Sequence, residues 1–377
     1  MNKEKKRIHI NSIITFIFFA VIGGIFGMIS SQILGDKLKG DGRIFLGIVI
    51  VIVAFIIQVI FHEGGHLIGG VLSGYAFISF RVGSITIIKE NDKFKIKRFK
   101  IPGTGGQCLM MPKSKNYEDC QYILYNLGGV LINLVLSTGA LVIYNLFNTN
   151  EYIDIALISI IFSGIIVVIT NGIPMKISGI ANDGYNILSI ITNKFNKYCF
   201  YIQLRTNAFL SKGKRIKDMP LEWFITDENR DFSNPLVSSL KCLEANYYSD
   251  RLEFNKSKEC YEFLLNYNPR ICGLYENEAK CELLFCEIVG DRNEKKIKSL
   301  YTKQLKSYIK ATSYYMGRKR LMYAYALIID KDLKKANAIL NEVEKMKKTY
   351  YSKSDMESEL EIIKFIKDNF ESDILVM

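Results

Sequence analysis

Residues 44–80 contain a single formally charged side chain, Glu63, among 36 otherwise uncharged residues. A helix needs about 20 apolar residues to cross a bilayer, and this run is long enough for one. A carboxylate at bilayer depth costs at least about 2.5–3.5 kcal/mol unless something offsets that cost. The run therefore predicts a membrane-spanning helix, and the glutamate within it indicates a functional site.

Other uncharged runs predict three further spans. We place the four spans at about residues 10–33, 45–72, 121–147 and 155–174. Basic residues are concentrated in the first seven residues, between residues 73 and 120, and after residue 193. Because basic loops tend to lie on the cytoplasmic side, we expect the N-terminus and the C-terminal half in the cytoplasm. The chain is expected to be an integral membrane protein, and its Lys- and Ile-rich composition favours a bacterial cell membrane.

Composition divides the chain near residue 193. We predict a membrane domain over residues 1–192, a basic linker over 193–235 and a cytoplasmic helical domain over 236–377. The formal net charge is +12, and in a chain with long apolar runs such an excess points to lipid-facing segments. No nucleic-acid motif accompanies the charge, so we expect the lipid bilayer and no nucleic acid as a partner. The eight cysteines form no C-x-x-C pair and are expected to be free thiols.

The second span contains the peptide His62-Glu63-Gly64-Gly65-His66. Residues four apart share one face of a helix, so the two imidazoles could bind one zinc ion from the same side. Glu63 follows the first ligand and is placed to act as general base. The alternative is a buried His–Glu packing pair between helices. The remaining histidine, His9, has no partner and receives no role.

A catalytic zinc site needs a third protein ligand and an open position. Asp183 is the best candidate, because Pro174 and nearby glycines are expected to end the helix where the chain leaves the fourth apolar run. Broken helices at membrane depth are tolerated where they line a cavity, so Asp183 could fold back to the metal. The alternative is that Asp183-Gly184 forms only an ordinary turn.

These motifs together resemble the site-2 protease family of intramembrane zinc metalloproteases. The similarity lies in the His62–His66 peptide within a span and in two later motifs, Asn171-x-x-Pro174 and Asn182-Asp183-Gly184. The family's intervening Gly-Pro-x-x-Asn corresponds to residues 129–133, except that valine replaces the proline. The similarity covers roughly residues 45–192.

The resemblance implies one zinc ion per chain and hydrolysis of peptide bonds in membrane-embedded or membrane-associated substrates. It assigns His62, His66 and Asp183 as zinc ligands and Glu63 as general base. Asn171 would hold the substrate or its oxyanion. Such an enzyme would serve regulated intramembrane proteolysis or the processing of a peptide precursor.

The loop after the second span alternates between apolar and polar residues. We predict a small cytoplasmic β-hairpin, with one strand over residues 77–89, a turn at 90–93 and a second strand over 94–101. An exposed strand edge could bind an extended substrate by adding it to the sheet. A hairpin that only rests on lipid headgroups is the alternative.

The C-terminal half has helical periodicity and is expected to form an all-α, solenoid-like soluble domain. We predict seven helices, near residues 236–249, 252–267, 273–289, 293–312, 316–329, 332–348 and 353–370. Residues 255–269 and 333–340 are similar to the second helix of a tetratricopeptide repeat. That similarity favours a protein or peptide partner, and a passive helical domain is the alternative.

Three functions fit the whole pattern. The first is an active intramembrane metalloprotease, and the intact Glu63 favours it. The second is a non-catalytic membrane scaffold whose helical domain recruits a protein partner. The third is a transporter with an intramembrane metal site, which is disfavoured because the spans form no paired repeats.

Overall fold

A computed structural model describes Gly24 and residues 41–375, except 91–92, 99–104, 178–179 and 268–270. The first predicted span, residues 10–33, lies outside the described residues apart from Gly24. The described chain divides at residue 193 into two compact units, residues 41–192 and 193–375, with a short strand segment assigned to the second unit. Each unit is described by itself.

Three helices of the first unit are long and apolar enough to cross a membrane. They are α1 (Asp41–Leu72), α2 (Tyr122–Leu146) and α3 (Glu151–Gly172). They match the second, third and fourth predicted spans, and α1 packs against both others. Large apolar side chains on their outer surfaces are exposed, as lipid contact requires. The chain is therefore an integral membrane protein.

Small residues allow α1 and α2 to approach closely. A β-carbon added at Gly65 would lie 2.1 Å from the carbonyl oxygen of Gly128. No real side chain tolerates that distance, so the two backbones are in direct contact at this level of the helices. This contact lies beside His62 and His66 and fixes the distance between the helices that carry the site.

The loop after α1 folds into a small antiparallel sheet, as expected, but the sheet has four strands where we predicted a hairpin of two. Its order is β3-β2-β1-β4. The strands are β1 (Tyr75–Val82), β2 (Ile85–Glu90), β3 (Lys93–Arg98) and β4 (Gly106–Pro112). The predicted strand 77–89 is broken because Gly83 has a φ of +59°, a left-handed turn conformation that glycine favours. The additional strand β4 pairs with β1.

After α3 the chain makes a short β-ribbon, β5 (Lys176–Ile177) with β6 (Ile180–Ala181), and then helix α4 (Asp183–Thr192). Helix α4 has ten residues and is too short to cross a membrane by itself. Asp183 is the first residue of α4.

Helices make up most of the second unit. Its α-helices are α5 (Lys194–Ser211), α6 (Pro235–Asp250), α7 (Phe254–Asn266), α8 (Gly273–Val289), α9 (Glu294–Leu300), α10 (Lys303–Ala311), α11 (Met316–Ala324), α12 (Leu333–Lys347) and α13 (Lys353–Leu375). Single turns of 3₁₀ helix occur at Ile216–Asp218 and Leu221–Trp223, and a π-helical turn at Tyr325–Ile329 follows α11.

The predicted helices agree with α6–α13, with one difference. The predicted helix 293–312 is two helices, α9 and α10, because Thr302 caps the second by accepting a hydrogen bond from the Leu305 amide. A core that includes Leu284, Phe285 and Leu327 joins α7–α13. The solenoid-like arrangement and the tetratricopeptide resemblance stay predictions.

Residues 193–235 belong to the second compact unit, where we expected a linker. Helix α5 in this segment packs against α6 and α13. Its inward side is apolar, with Cys199 and Ala208 fully buried. The basic residues of this helix, Lys194, Lys197 and Arg205, are exposed or partly buried and alternate in sequence with the buried positions.

Candidate metal centre and active site

Three potential metal ligands converge where α1 meets the start of α4. Among the described residues, His62, His66 and Asp183 are a group whose ligand atoms all lie within 4.8 Å of one another. The His62 Nε2 atom lies 3.1 Å from His66 Nε2 and 3.1 Å from Asp183 Oδ2. The third side of the triangle, from His66 Nε2 to Asp183 Oδ2, is 3.3 Å. These are the three residues that the sequence predicted as ligands.

The triangle has the dimensions of a zinc site. Ligands about 2.05 Å from a tetrahedral zinc ion lie about 3.3 Å from one another. Two imidazole nitrogens and one carboxylate oxygen are also donors that zinc accepts, and three protein ligands leave the fourth position open. Both histidines are buried, which excludes competing solvent from two of the ligands. The donor set therefore fits zinc.

Hydrogen bonds orient both imidazole rings. The Nδ1 atom of His66 lies 2.8 Å from the backbone oxygen of Tyr125, and Nδ1 of His62 lies 2.7 Å from Oδ1 of Asn133. Both partners are on α2. Because each Nδ1 atom is used by a partner outside the triangle, each Nε2 atom is left for the metal.

Glu63 lies beside the triangle and against strand β4. Its side chain is buried, and the backbone of Cys108 hydrogen-bonds its carboxylate. A β-carbon added at Gly106 would lie 2.6 Å from Cγ and Oε1 of Glu63. Strand β4 thus covers the carboxylate at a distance that only glycine allows, and the site lies between a spanning helix and the edge of the sheet.

Asn182 positions the third ligand. Its Oδ1 atom accepts hydrogen bonds from the amides of Met175 and Tyr185, at 3.1 and 2.8 Å. Its Nδ2 atom donates to the carbonyl oxygens of Thr170 and Ile173, at 2.7 and 2.6 Å. The Asn182 side chain therefore caps both the C-terminal end of α3 and the N-terminal end of α4. Asp183 is the next residue in the chain.

Within the described part of the chain, the Asn171 side chain makes no hydrogen bond to His62, His66 or Asp183. The Asn171 amide donates instead to the Val167 carbonyl oxygen one turn back, at 3.0 Å. Its role in holding substrate stays a prediction.

Gln58, Tyr125 and the role of Asn182 were not predicted from the sequence. Gln58 was counted only as an uncharged residue of the second span, although a glutamine inside an apolar run is a signal in its own right. Tyr125 contributes its backbone oxygen, which no sequence pattern reveals. Asn182 was quoted as part of a motif, and its preference for helix N-termini could have predicted its capping position.

The model of Peptidase family M50 matches residues 50–372. This range contains the metal triangle, the sheet and nearly all of the second unit. No curated protein and no solved structure matches the chain. Since the family model covers most of its length, the chain belongs to Peptidase family M50, the family of the site-2 proteases and of membrane metalloproteases of that kind.

Proposed function

We propose that this chain hydrolyses peptide bonds of membrane-embedded or membrane-associated proteins, with one zinc ion held by His62, His66 and Asp183. The triangle of ligand atoms, 3.1–3.3 Å on each side and adjoining a buried glutamate, is the observation that supports this function best. Its two histidines lie on α1, a helix long enough to span a bilayer, so its substrates would be reached at the membrane.

Glu63 is the proposed general base. Zinc bound at the triangle would polarise the scissile carbonyl and lower the pKa of a water molecule to about 7. Glu63 would take a proton from that water and pass it to the leaving amine. The backbone of Cys108 hydrogen-bonds the carboxylate and would help to hold it beside the triangle during these proton transfers.

Strand β4 is the proposed platform for the substrate. A protease needs its substrate extended, because a helix hides the scissile bond. In the sheet order β4 is a terminal strand, paired with β1 on one side. A substrate segment added along its other edge would receive backbone hydrogen bonds and lie next to Glu63.

We further propose that the site serves regulated intramembrane proteolysis or peptide precursor processing in a bacterial cell membrane. The N-terminus and the second unit would be cytoplasmic, since the loops on that side are basic. The helical second unit would bind a protein or peptide partner. A non-catalytic scaffold is the second candidate function, and it would need this partner but neither zinc nor Glu63.

The test compares wild type with Glu63→Gln, His66→Ala and Asp183→Ala in detergent-purified, full-length protein. We expect one zinc per chain in the wild type and in Glu63→Gln, and less in the two ligand variants. Cleavage of a fluorescent single-span peptide should fall roughly 10²–10⁴-fold in Glu63→Gln, because only the base is lost. Chelation should stop the wild type and zinc should restore it.

Glu63→Gln is also the decisive control. It keeps the size and nearly the shape of the side chain, so helix packing against Gly106 is preserved. Unchanged cleavage in Glu63→Gln would refute the proposed mechanism. A wild type that carries no zinc and cleaves nothing, yet captures a cytoplasmic partner, would favour the scaffold.

A further inference from the structure

A chain of buried amides connects His62 to the two neighbouring spans. The Oδ1 atom of Asn133 lies 2.7 Å from Nδ1 of His62. The Nδ2 atom of Asn133 donates to both oxygens of Gln58, the backbone oxygen at 2.8 Å and Oε1 at 2.5 Å. Gln58 in turn donates from Nε2 to the carbonyl oxygen of Ile160, at 2.8 Å. Gln58 and Asn133 are both completely buried.

Backbone carbonyls fix the direction of this chain. The oxygens of Ile160 and Gln58 can only accept hydrogen bonds. The Gln58 amide nitrogen must therefore face Ile160, which leaves Oε1 as the acceptor for Asn133. The Asn133 amide nitrogen must face Gln58, which leaves Oδ1 towards His62. An acceptor at that position requires a proton on Nδ1 of His62, so the lone pair of the ring lies on Nε2, towards the triangle.

Burial of a glutamine side chain between spanning helices is unfavourable, so the presence of Gln58 here indicates that its hydrogen bonds have a role. Burial of an amide is unfavourable unless its polar atoms are hydrogen-bonded, and a leucine of similar size would need no such partners. The helix opposite makes room for the amide. A β-carbon added at Gly164 would lie 2.5 Å from Nε2 of Gln58 and 1.8 Å from Oγ of Ser137.

His66 provides the comparison within the same site. Its Nδ1 atom is held directly by a backbone oxygen, that of Tyr125, which can only accept. His62 is held by a side-chain amide, and an amide can present either its oxygen or its nitrogen. Two acceptors of Gln58, its backbone oxygen and its Oε1 atom, determine which end of Asn133 faces His62, and a side-chain substitution removes only Oε1.

We propose that Gln58 is a positioning residue that acts through Asn133 to set the tautomer and orientation of His62, and so the affinity of the site for zinc. The inference rests on the proposed function only in taking zinc as the metal. It adds a residue that contacts neither metal nor substrate, and it predicts that the two amides form one functional unit.

The experiment measures zinc affinity by competition with a chromogenic chelator in full-length protein. Loss of an outer partner of a zinc-bound histidine typically weakens metal binding roughly 10–100-fold. We expect a loss of about 100-fold for Asn133→Leu and about tenfold for Gln58→Met, which keeps the length of the side chain. The double variant should equal Asn133→Leu alone, because Gln58 acts through Asn133. Asn126→Leu is the matched control, because Asn126 is a buried amide of α2 that donates a hydrogen bond within its own helix, to the Tyr122 carbonyl oxygen.

Histidine NMR supplies a readout that packing alone would not change. The chain has three histidines, so ¹⁵N-histidine spectra contain few signals. In Gln58→Met the Nδ1 proton signal of His62 should shift or disappear, while that of His66 stays. Gln58→Asn, whose amide is one methylene too short, should behave alike and serves if Gln58→Met does not fold.

Two results would overturn the inference. One is wild-type zinc affinity in both Gln58 variants. The other is a double variant whose loss is the product of the two single losses, which would mean that Gln58 acts by packing. If wild type binds no zinc, the proposed function fails, but the NMR comparison of metal-free proteins still tests the tautomer of His62.

Discussion

Replacing Gly129 by alanine should displace His62 without removing any ligand. Gly129 lies on α2, and a β-carbon there would be 2.6 Å from Cε1 of His62 and 2.8 Å from both ring nitrogens. Ordinary contact for a β-carbon begins at 3.4 Å. The ring must therefore retreat by 3.4 − 2.6 = 0.8 Å, or the two helices must separate by as much. The hydrogen bond from His62 to Asn133 opposes that retreat.

A shift of this size exceeds what a zinc site tolerates. Zinc–nitrogen distances are about 2.0–2.1 Å, and sites are recognised within about ±0.2 Å of that value. A misplacement of about 1 Å at a reacting centre can cost about 10²-fold in rate. We expect Gly129→Ala to lose about 100-fold in peptide cleavage, or about 2.7 kcal/mol of transition-state stabilisation. Zinc affinity should fall with it.

Gly139→Ala is the matched control, because Gly139 lies on the same helix with nothing within 4 Å of its added β-carbon. Both variants gain up to about 1 kcal/mol of helix propensity, so neither should melt at a lower temperature for that reason. The assay is cleavage of a fluorescent single-span peptide at saturating zinc, with zinc affinity measured in parallel. Gly129→Ala with the zinc affinity and rate of Gly139→Ala would refute this account of the site.

Three further predictions concern the cap and the second unit. Asn182→Ala should weaken zinc binding about 10–100-fold by releasing Asp183, as measured by chelator competition, and unchanged affinity would show that the cap is dispensable. Burial raises the pKa of Asp355 to about 6, against about 3.9 when unfolded. The folded unit then binds the proton more tightly, so the free energy of unfolding should fall by up to about 3 kcal/mol as pH rises from about 4 to about 6. Urea unfolding followed by Trp223 fluorescence should show this slope in wild type and a smaller slope in Asp355→Asn, and equal slopes would exclude Asp355 as the cause. Burial raises the pKa of Cys281 to about 12, so iodoacetamide at pH 8 should modify it only on unfolding. Modification of native protein at the rate of an unfolded peptide would contradict the burial of this thiol.

Local patterns predicted the helices well. The spans follow from the length of uncharged runs, and α6–α13 follow from apolar periodicity, because both signals lie within a single element. The metal triangle was also predictable, since four-residue spacing places His62 and His66 together on any helix. Asp183 depended on the family resemblance, because a lone Asp-Gly pair predicts only a turn.

The sheet and the chain of buried amides were harder to predict from the sequence. Strand β4 pairs with β1 although two other strands lie between them in the sequence, and no pattern in Gly106–Pro112 identifies β1 as the partner. The turn at Gly83 was a missed signal, because Gly83-Ser84 interrupts the alternation in residues 77–89. Gln58 hydrogen-bonds to Asn133 and Ile160, which follow it in the sequence by 75 and 102 residues. Contacts between residues so far apart leave no periodic pattern in the sequence.

The separation of the ligands along the chain has a consequence for the order of biosynthesis. Asp183 follows His62 by 121 residues, so the first two ligands leave the ribosome well before the third. At about 5–20 residues per second, the interval is roughly 6–24 s. During it the nascent chain already carries the histidines and Glu63 in the membrane but lacks the complete ligand set. The proposed ligand set is therefore complete only after Asp183 has been synthesised, and hydrolysis at this site would have to follow synthesis of the whole membrane domain.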